Sequence, residues 1–316
     1  MKPIIYITQK LPEQAVAKLR DSYEVRMWHD DQSAAPREEI LKQVKEAHAL
    51  WSMLSDNIDR PVFEAAPNLK IISNLAVGHN NIDLEAAHDH GVMVTNTPEV
   101  LTETTADLTF ALLLAAARRI VEADKTVRSG EWKSWTPMGM TGQNVGGATL
   151  GIIGMGRIGE AVARRGQGFG MNVLYHNRTR KSLEDVKYAA LDELLQTSDF
   201  VVLLTPLTNE TRGMIGEREL SLMKETAILI NVARGGVVEE AALFEALKAK
   251  KIWGAGLDVF EQEPVPTDHP LLTLPNVTVL PHIGSATVQT RLAMMEMNAS
   301  AISACLEGRS VQNRVC

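Results

Sequence analysis

Three residues at the ends of apolar runs could carry chemistry in the second half of this chain. Arg234 follows AILINVA in NVARGG, Glu263 lies in DVFEQEP after GAGLDV, and His282 follows VTVLP in LPHIGSAT. A lone Arg or Glu is usually a surface charge, and a lone His is usually structural. A cation, a carboxylate and an imidazole that all leave strand ends are harder to explain that way. In an open α/β sheet, ligands bind outside the carboxyl ends of the strands. All three side chains are therefore expected to point toward one ligand crevice.

A second constellation suggests which ligand. GIIGMGRIGEAVARR places Gly154, Gly156 and Gly159 in the G-x-G-x-x-G spacing, with Met155, Arg157 and Ile158 between them. The spacing alone is weak, but an apolar strand precedes it and an amphipathic helix follows. Gly154 suits the tight turn, Gly156 lets the backbone approach a pyrophosphate, and Gly159 lets the helix pack on the strand. The helix N-terminus then faces the phosphates. A dinucleotide is the expected cofactor.

The next strand, NVLYHN, should end beside the adenosine ribose. NAD enzymes place an acid there. Here His176 and Asn177 are followed by Arg178, Thr179, Arg180 and Lys181. An acid would repel a 2′-phosphate, whereas a guanidinium binds it with paired, charge-assisted hydrogen bonds. NADP(H) is expected in preference to NAD(H), with NAD(H) still usable.

The bulk composition sets the frame for these motifs. A chain of 316 residues is long for one core, so two domains are expected. With 45% hydrophobic and 22% charged residues it is an ordinary globular composition. The net charge of -7 and the lack of a basic run argue against nucleic-acid binding. The two cysteines, Cys305 and Cys316, have neither metal-ligand spacing nor the numbers for a disulfide framework, so no metal is expected and a reducing cytoplasm fits. MKPIIYITQKLPEQ lacks a signal-peptide core and cleavage site. LTFALLLAAA, residues 108–117, falls well short of the roughly 20 residues a membrane span needs. It reads as a buried helix.

Two series of alternating elements position the motifs. IIYIT, EVRMW, HALWSM, KIISNLA and VMVTN read as strands, separated by helical stretches, the last of which ends on Gly91 as a C-cap. The stretch from TETTADL has no Pro or Gly before Gly130 and reads as one long helix joining two domains. SWTPMGMTGQNVGG reads as a loop. ATLGIIG, NVLYHN, FVVLLTP, AILINVA, GAGLDV and VTVLP form the second strand series, and the segment after His282 is helical and could return to the first domain. The fold class is α/β with two doubly wound parallel sheets. The expected substrate-binding domain comprises residues 1–98 and 284–316, with the dinucleotide domain, residues 99–283, inserted into it.

The combined pattern resembles the D-isomer-specific 2-hydroxyacid dehydrogenases over nearly the whole chain. LAVGHNNID, VLTETTADLTFALLL, GIIGMGRIG, NVARGGVV, AGLDVFEQEP and LPHIGSAT carry the resemblance. Within the family it is most similar to the glyoxylate/hydroxypyruvate reductases and 2-ketogluconate reductases, on VLTETTADL, SWTPMGMTG and the acid-free YHNRTR. The resemblance implies a Rossmann-type nucleotide domain inserted into a flavodoxin-like substrate domain. It also implies the roles. His282 is the general acid, Glu263 keeps the imidazolium populated, and Arg234 binds the 2-keto acid and polarises its carbonyl. The Val77 and Gly78 N–H groups hold the substrate carboxylate, and Ser52, Met53 and Leu54 form a substrate-side wall. Thr105, Val232, Ala233 and Arg234 approach the cofactor, with Leu204, Thr205 and Pro206 on the adenosine side and Gly284 close to the ring. Asp258 either takes the nicotinamide carboxamide or braces its loop. Trp135 reaches a neighbouring subunit's site or packs at a dimer contact, and a homodimer is expected.

Three neighbours in the wider fold family argue differently. Formate dehydrogenases set Gln rather than Glu beside the His, so Glu263 favours carbonyl reduction. Corepressor-type scaffolds keep the Arg, Glu and His, but this chain lacks long disordered extensions and has Trp132 and Trp135 at reductase-like spacing. A phosphoglycerate-type dehydrogenase would carry a further regulatory domain, which a chain ending at Cys316 is not expected to hold.

Overall fold

Each apolar run read as a strand contains one, trimmed at its ends. The computed structural model describes residues 2–316. It divides them into two units, residues up to Leu101 with Ala286–Cys316, and Thr102–Ser285. These divisions fall a few residues beyond the breaks at 98/99 and 283/284 placed from the sequence.

The first unit opens with β1 (Ile4–Ile7), α1 (Glu13–Ser22), β2 (Glu24–Met27), α2 (Arg37–Gln43), β3 (Ala49–Met53), α3 (Arg60–Glu64), β4 (Ile71–Leu75), α4 (Leu84–Asp89) and β5 (Met93–Thr95). Its five strands are parallel in the order β2-β1-β3-β4-β5, the flavodoxin-like order. β1, β3 and β4 are buried along their whole length, as expected of strands covered on both faces. Asp83 caps α4 by accepting the Ala86 N–H, and Gly91, at φ +66°, follows its end with its N–H on the His88 carbonyl.

The second unit contains α5 (Thr102–Ala117), α6 (Ile120–Arg128), β6 (Thr149–Ile153), α7 (Arg157–Gly168), β7 (Asn172–His176), β8 (Lys187–Tyr188), α8 (Leu191–Thr197), β9 (Phe200–Leu203), α9 (Glu217–Leu222), β10 (Ile228–Asn231), α10 (Glu240–Lys248), β11 (Gly254–Leu257) and β12 (Val277–Val279). Seven parallel strands lie in the order β12-β11-β10-β9-β6-β7-β8. The order reverses between β6 and β9, which is where such sheets bind ligands. β8, two residues long, carries too little apolar pattern to be read from sequence.

The expected long linking helix is corrected: it is two helices. α5 ends at Ala117, and Arg119 takes a left-handed φ of +55° before α6 begins. The Ala117 carbonyl accepts the Gln143 N–H at 2.8 Å. The loop before β6 thus takes an acceptor that continuing the helix would need.

The chain returns to the first unit through α11 (Val288–Leu306), which packs on β4 and α1. Thr287 caps it by accepting the Thr290 N–H at 3.2 Å, and the buried Asn298 donates to the Ser73 carbonyl at 3.0 Å. The last residues pair antiparallel with the β5 edge through Val315, Asn313 and Arg314. Among the described residues no helix is long and apolar enough to cross a membrane, and no group of three or more His, Cys, Asp or Glu could hold a metal ion.

Candidate active site

The turn from β6 into α7 has the geometry a pyrophosphate requires. Gly154 sits at φ +104°, and a Cβ there would lie 2.6 Å from both Leu204 C and Thr205 N. The turn is thus pressed against the peptide joining Leu204 and Thr205. A Cβ on Gly159 would lie 2.5 Å from the Gly154 carbonyl oxygen, so α7 packs directly on the turn. Gly156 differs: a Cβ there would meet nothing within 4 Å. The opening at Gly156, at the N-terminus of the 12-residue helix α7, fits an approaching phosphate. Met155 is fully buried and contributes only backbone to the exposed side, while Ile158 packs on the core and the Arg157 side chain is exposed.

At the end of β7 the expected ribose-side residues divide into braces and exposed cations. The Asn177 Oδ1 accepts the Met155 N–H at 2.9 Å, and the His176 Nδ1 lies 3.1 Å from the Ala189 carbonyl oxygen. Asn177 braces the glycine turn, and His176 ties the end of β7 to the residue after β8. Arg178, Thr179 and Arg180 are exposed. The Arg180 guanidinium sits 4.2 Å above the Tyr188 ring, and the Lys181 Nζ pairs with Glu160 at 2.6 Å. Glu210, in the loop after β9, is held below the usual carboxylate range. The Thr208 hydroxyl is the main cause, with a smaller contribution from Arg178. Arg178 thus acts electrostatically on the loop that begins with Leu204, Thr205 and Pro206.

The acid–imidazole pair is formed. The His282 Nδ1 lies 2.6 Å from the Glu263 Oε2, and the other Glu263 oxygen accepts the Phe260 N–H at 2.9 Å. Burial alone would push the Glu263 carboxyl up. The hydrogen bond and charge of His282, the Phe260 N–H and the Arg234 charge outweigh it and hold the group below its ordinary value. With Nδ1 occupied, the imidazole Nε2 is the atom left to exchange a proton with a ligand.

Arg234 reaches the same neighbourhood because of the glycine after it. A Cβ on Gly235 would lie 1.9 Å from Phe260 C, so the turn after β10 rests directly on the loop backbone that leads to Glu263. The Arg234 guanidinium donates to the Ala233 carbonyl at 2.6 Å. Burial lowers its pKa, and Glu263 works against that effect. Val232 and Ala233 are buried. Of the two roles open to Asp258, the geometry displays bracing: its carboxylate accepts the Ile283 and Gly284 N–H groups at 2.8 and 2.9 Å. Thr105 lies beside them, since a Cβ on Gly284 would come within 3.4 Å of both Asp258 Oδ2 and Thr105 Cγ2.

In the first unit, the turn after β4 is held by asparagines that sequence reasoning missed. The Asn96 Nδ2 donates to the Val77 carbonyl at 2.7 Å, and the Asn74 Nδ2 donates to the Gly78 carbonyl at 3.0 Å. Asn81 donates to the carbonyls of Met53 and Asp56 at 3.1 and 2.9 Å. With the carbonyls engaged, the Val77 and Gly78 N–H groups have no acceptor among the described residues, which suits an anion nest. Asn74 left a signal: a polar residue buried within the apolar run KIISNLA. Ser52 and Met53 are buried, and the Ser52 hydroxyl donates to Asn74 at 3.0 Å, so only Leu54 of that trio is partly exposed. Trp135 is 77% exposed on a stretch, residues 131–140, that is exposed throughout.

Comparison with known proteins shows what the chain is similar to. Residues 110–284 match the family described as D-isomer specific 2-hydroxyacid dehydrogenase, NAD binding domain. The glyoxylate reductase of Korarchaeum cryptofilum is 52% identical over 322 residues, covering 100% of this chain and 96% of that protein. A Thermus thermophilus crystal structure superposes with a TM-score of 0.94 at 46% identity, covering 99% of this chain and 100% of that one. The NADPH-dependent glyoxylate/hydroxypyruvate reductase of Sinorhizobium meliloti, solved with NADP and malonate, superposes with a TM-score of 0.87 at 32% identity, covering 100% and 97%. With a matched dinucleotide domain and relatives spanning its whole length, the chain belongs to the D-isomer-specific 2-hydroxyacid dehydrogenase family and is an NAD(P)-dependent dehydrogenase.

Proposed function

We propose that this enzyme reduces glyoxylate and related small 2-keto acids to D-2-hydroxy acids, with NADPH preferred over NADH. The observation that carries the reading is the 2.6 Å pair between the His282 Nδ1 and Glu263, with Arg234 in electrostatic reach. The bound nicotinamide supplies a hydride to the keto carbon. His282 delivers a proton from Nε2 to the carbonyl oxygen, and Glu263 stabilises the imidazolium that precedes transfer. The Arg234 guanidinium polarises the carbonyl and stabilises the charge that develops on its oxygen. The Val77 and Gly78 N–H groups take the substrate carboxylate, with Leu54 beside them. Thr105, the residues 154–159, 176–180 and 204–206, and Val232, Ala233 and Gly284 hold the cofactor. Asp258 holds the turn of His282.

NADPH preference rests on the exposed cations Arg178 and Arg180 and on the want of an acid at residues 176–180. Hydroxypyruvate is the next substrate in this reading, and 2-ketogluconate a larger one. Exposed Trp132, Trp135 and Met138, with Ile120, Val121 and Val127 on α6, favour a homodimer. Two free cysteines suit a reducing cytoplasm.

A steady-state screen of glyoxylate, hydroxypyruvate, pyruvate and 2-ketogluconate with each cofactor tests the proposal, read as loss of nicotinamide absorbance. Glyoxylate with NADPH should give the highest kcat/KM, and His282→Ala should abolish most of it. Inactivity on all four acids would turn the reading toward a nucleotide-sensing scaffold.

A further inference from the structure

A second carboxylate–imidazole pair lies behind the first. Glu240, at the start of α10, places its Oε2 at 3.0 Å from the His269 Nε2, and its Oε1 accepts the Glu261 N–H at 2.7 Å. Both side chains are largely buried, at 14% and 19% exposure. The bonded peptide precedes Glu263 by two residues, and the peptide before it gives its Phe260 N–H to Glu263 itself. The His269 ring stands edge-on to Phe260 with centroids 6.2 Å apart. The other ring nitrogen, Nδ1, is buried with no partner among the described residues. The ring therefore makes one polar contact, and that contact orients Glu240.

We propose that Glu240 and His269 are positioning residues for the reaction: they fix the 260–263 backbone so that Glu263 meets His282. The inference rests on the reading of Glu263 and His282 as the proton-handling pair. Residues 261–263 are exposed and belong to no helix or strand, so their placement depends on ties of this kind. Glu240 anchors the loop to α10, and His269 anchors the far end of the same loop to Glu240. A carboxylate in the first turn of α10 also complements that helix's dipole, but that role requires no bond to Glu261.

The test compares Glu240→Ala, Glu240→Gln and His269→Ala, each alone and in a Glu263→Gln background. Readouts are kcat with glyoxylate, NADPH binding by fluorescence and thermal midpoint. Glu240→Ala should lower kcat on the order of 10-fold, because misplacement of a proton-handling group is costly, while NADPH binding is kept. Glu240→Gln should restore most of the rate, since its amide oxygen still accepts the Glu261 N–H. In the Glu263→Gln background Glu240→Ala should add no further loss, the signature of residues acting as a unit. An unchanged kcat, or an equal loss in both backgrounds, would overturn the positioning role. If Glu240→Ala does not fold, His269→Ala carries the same two comparisons with the same two overturning outcomes. A Glu263→Gln variant with full kcat would remove the underlying acid–imidazole reading, and the positioning role with it. A slow Glu263→Gln with an unaffected Glu240→Ala overturns the positioning role alone.

Discussion

The His282 N–H donates to the Asp258 carbonyl oxygen at 2.9 Å, while the Asp258 carboxylate accepts the next two amides of the turn. One buried residue thus fixes three consecutive peptides around an imidazole whose backbone sits at a left-handed φ of +55°. A non-glycine residue there is held by its surroundings rather than by its own preference.

Asp258→Asn should therefore act on the His282 imidazole without a side-chain bond to it. The amide offers one acceptor oxygen for two N–H donors and turns an NH2 toward one of them. A lost buried hydrogen bond costs about 1–3 kcal/mol. Stability by denaturant titration should fall by about that amount, and kcat should fall on the order of 10-fold with the turn disordered. Full activity with reduced stability would show that the turn tolerates a looser hold.

Glu263 predicts a pH dependence whose sign follows from its depressed pKa. A carboxyl held below its unfolded value contributes stability that is fully present above the unfolded pKa, roughly 4.3 for Glu. The contribution disappears as pH falls through the lower folded value. Glu263→Gln should thus be destabilised relative to the parent near neutral pH, and the gap should close on acidification. Paired denaturation curves at several pH values check this. A gap that widens toward acid would contradict the assigned shift.

Arg178 and Arg180 should separate the two cofactors. Among the described residues neither forms an ion pair with a neighbouring acid: Arg180 rests on Tyr188, and Arg178 is the smallest of the influences that lower the Glu210 pKa. A charge-assisted hydrogen bond is worth about 1.5–3 kcal/mol, so each Ala variant should raise the KM for NADPH by about 10-fold or more. The KM for NADH should stay constant. Equal increases for both cofactors would place these arginines on a group the two share.

What the sequence made legible follows from periodicity and from glycine. Strands such as IIYIT and FVVLLTP are apolar throughout because both faces of each sheet are covered, and Gly154, Gly156 and Gly159 read as a turn because their spacing is steric. Arg234, Glu263 and His282 were visible because each directly leaves a strand or its loop. The break at Arg119 was not, since it depends on Gln143, distant in sequence, taking the Ala117 carbonyl. The same holds for Asn96 and Glu240, whose ties to the Val77 carbonyl and the Glu261 N–H join residues distant in sequence, whereas Asn74 is marked by its place inside an apolar run. Asn177 was legible as a residue of the site but not in its role, because its tie to the Met155 N–H is a contact across the sheet.

Asn96 offers the sharpest test of the first unit. Its amide holds the Val77 carbonyl at 2.7 Å, and its own carbonyl accepts from the Asn313 side chain. Asn96→Asp keeps the shape but sets a carboxylate against that carbonyl, so the peptide after Val77 should rotate and its neighbouring N–H groups lose their common aim. If Val77 and Gly78 bind the substrate carboxylate, the KM for glyoxylate should rise by about 10-fold, equivalent to about 1.4 kcal/mol of binding. The KM for NADPH should not change, because the glycine turn lies in the other unit and shares no hydrogen bond with Asn96. A variant whose kcat falls at unchanged glyoxylate KM would move the carboxylate-binding role away from this turn.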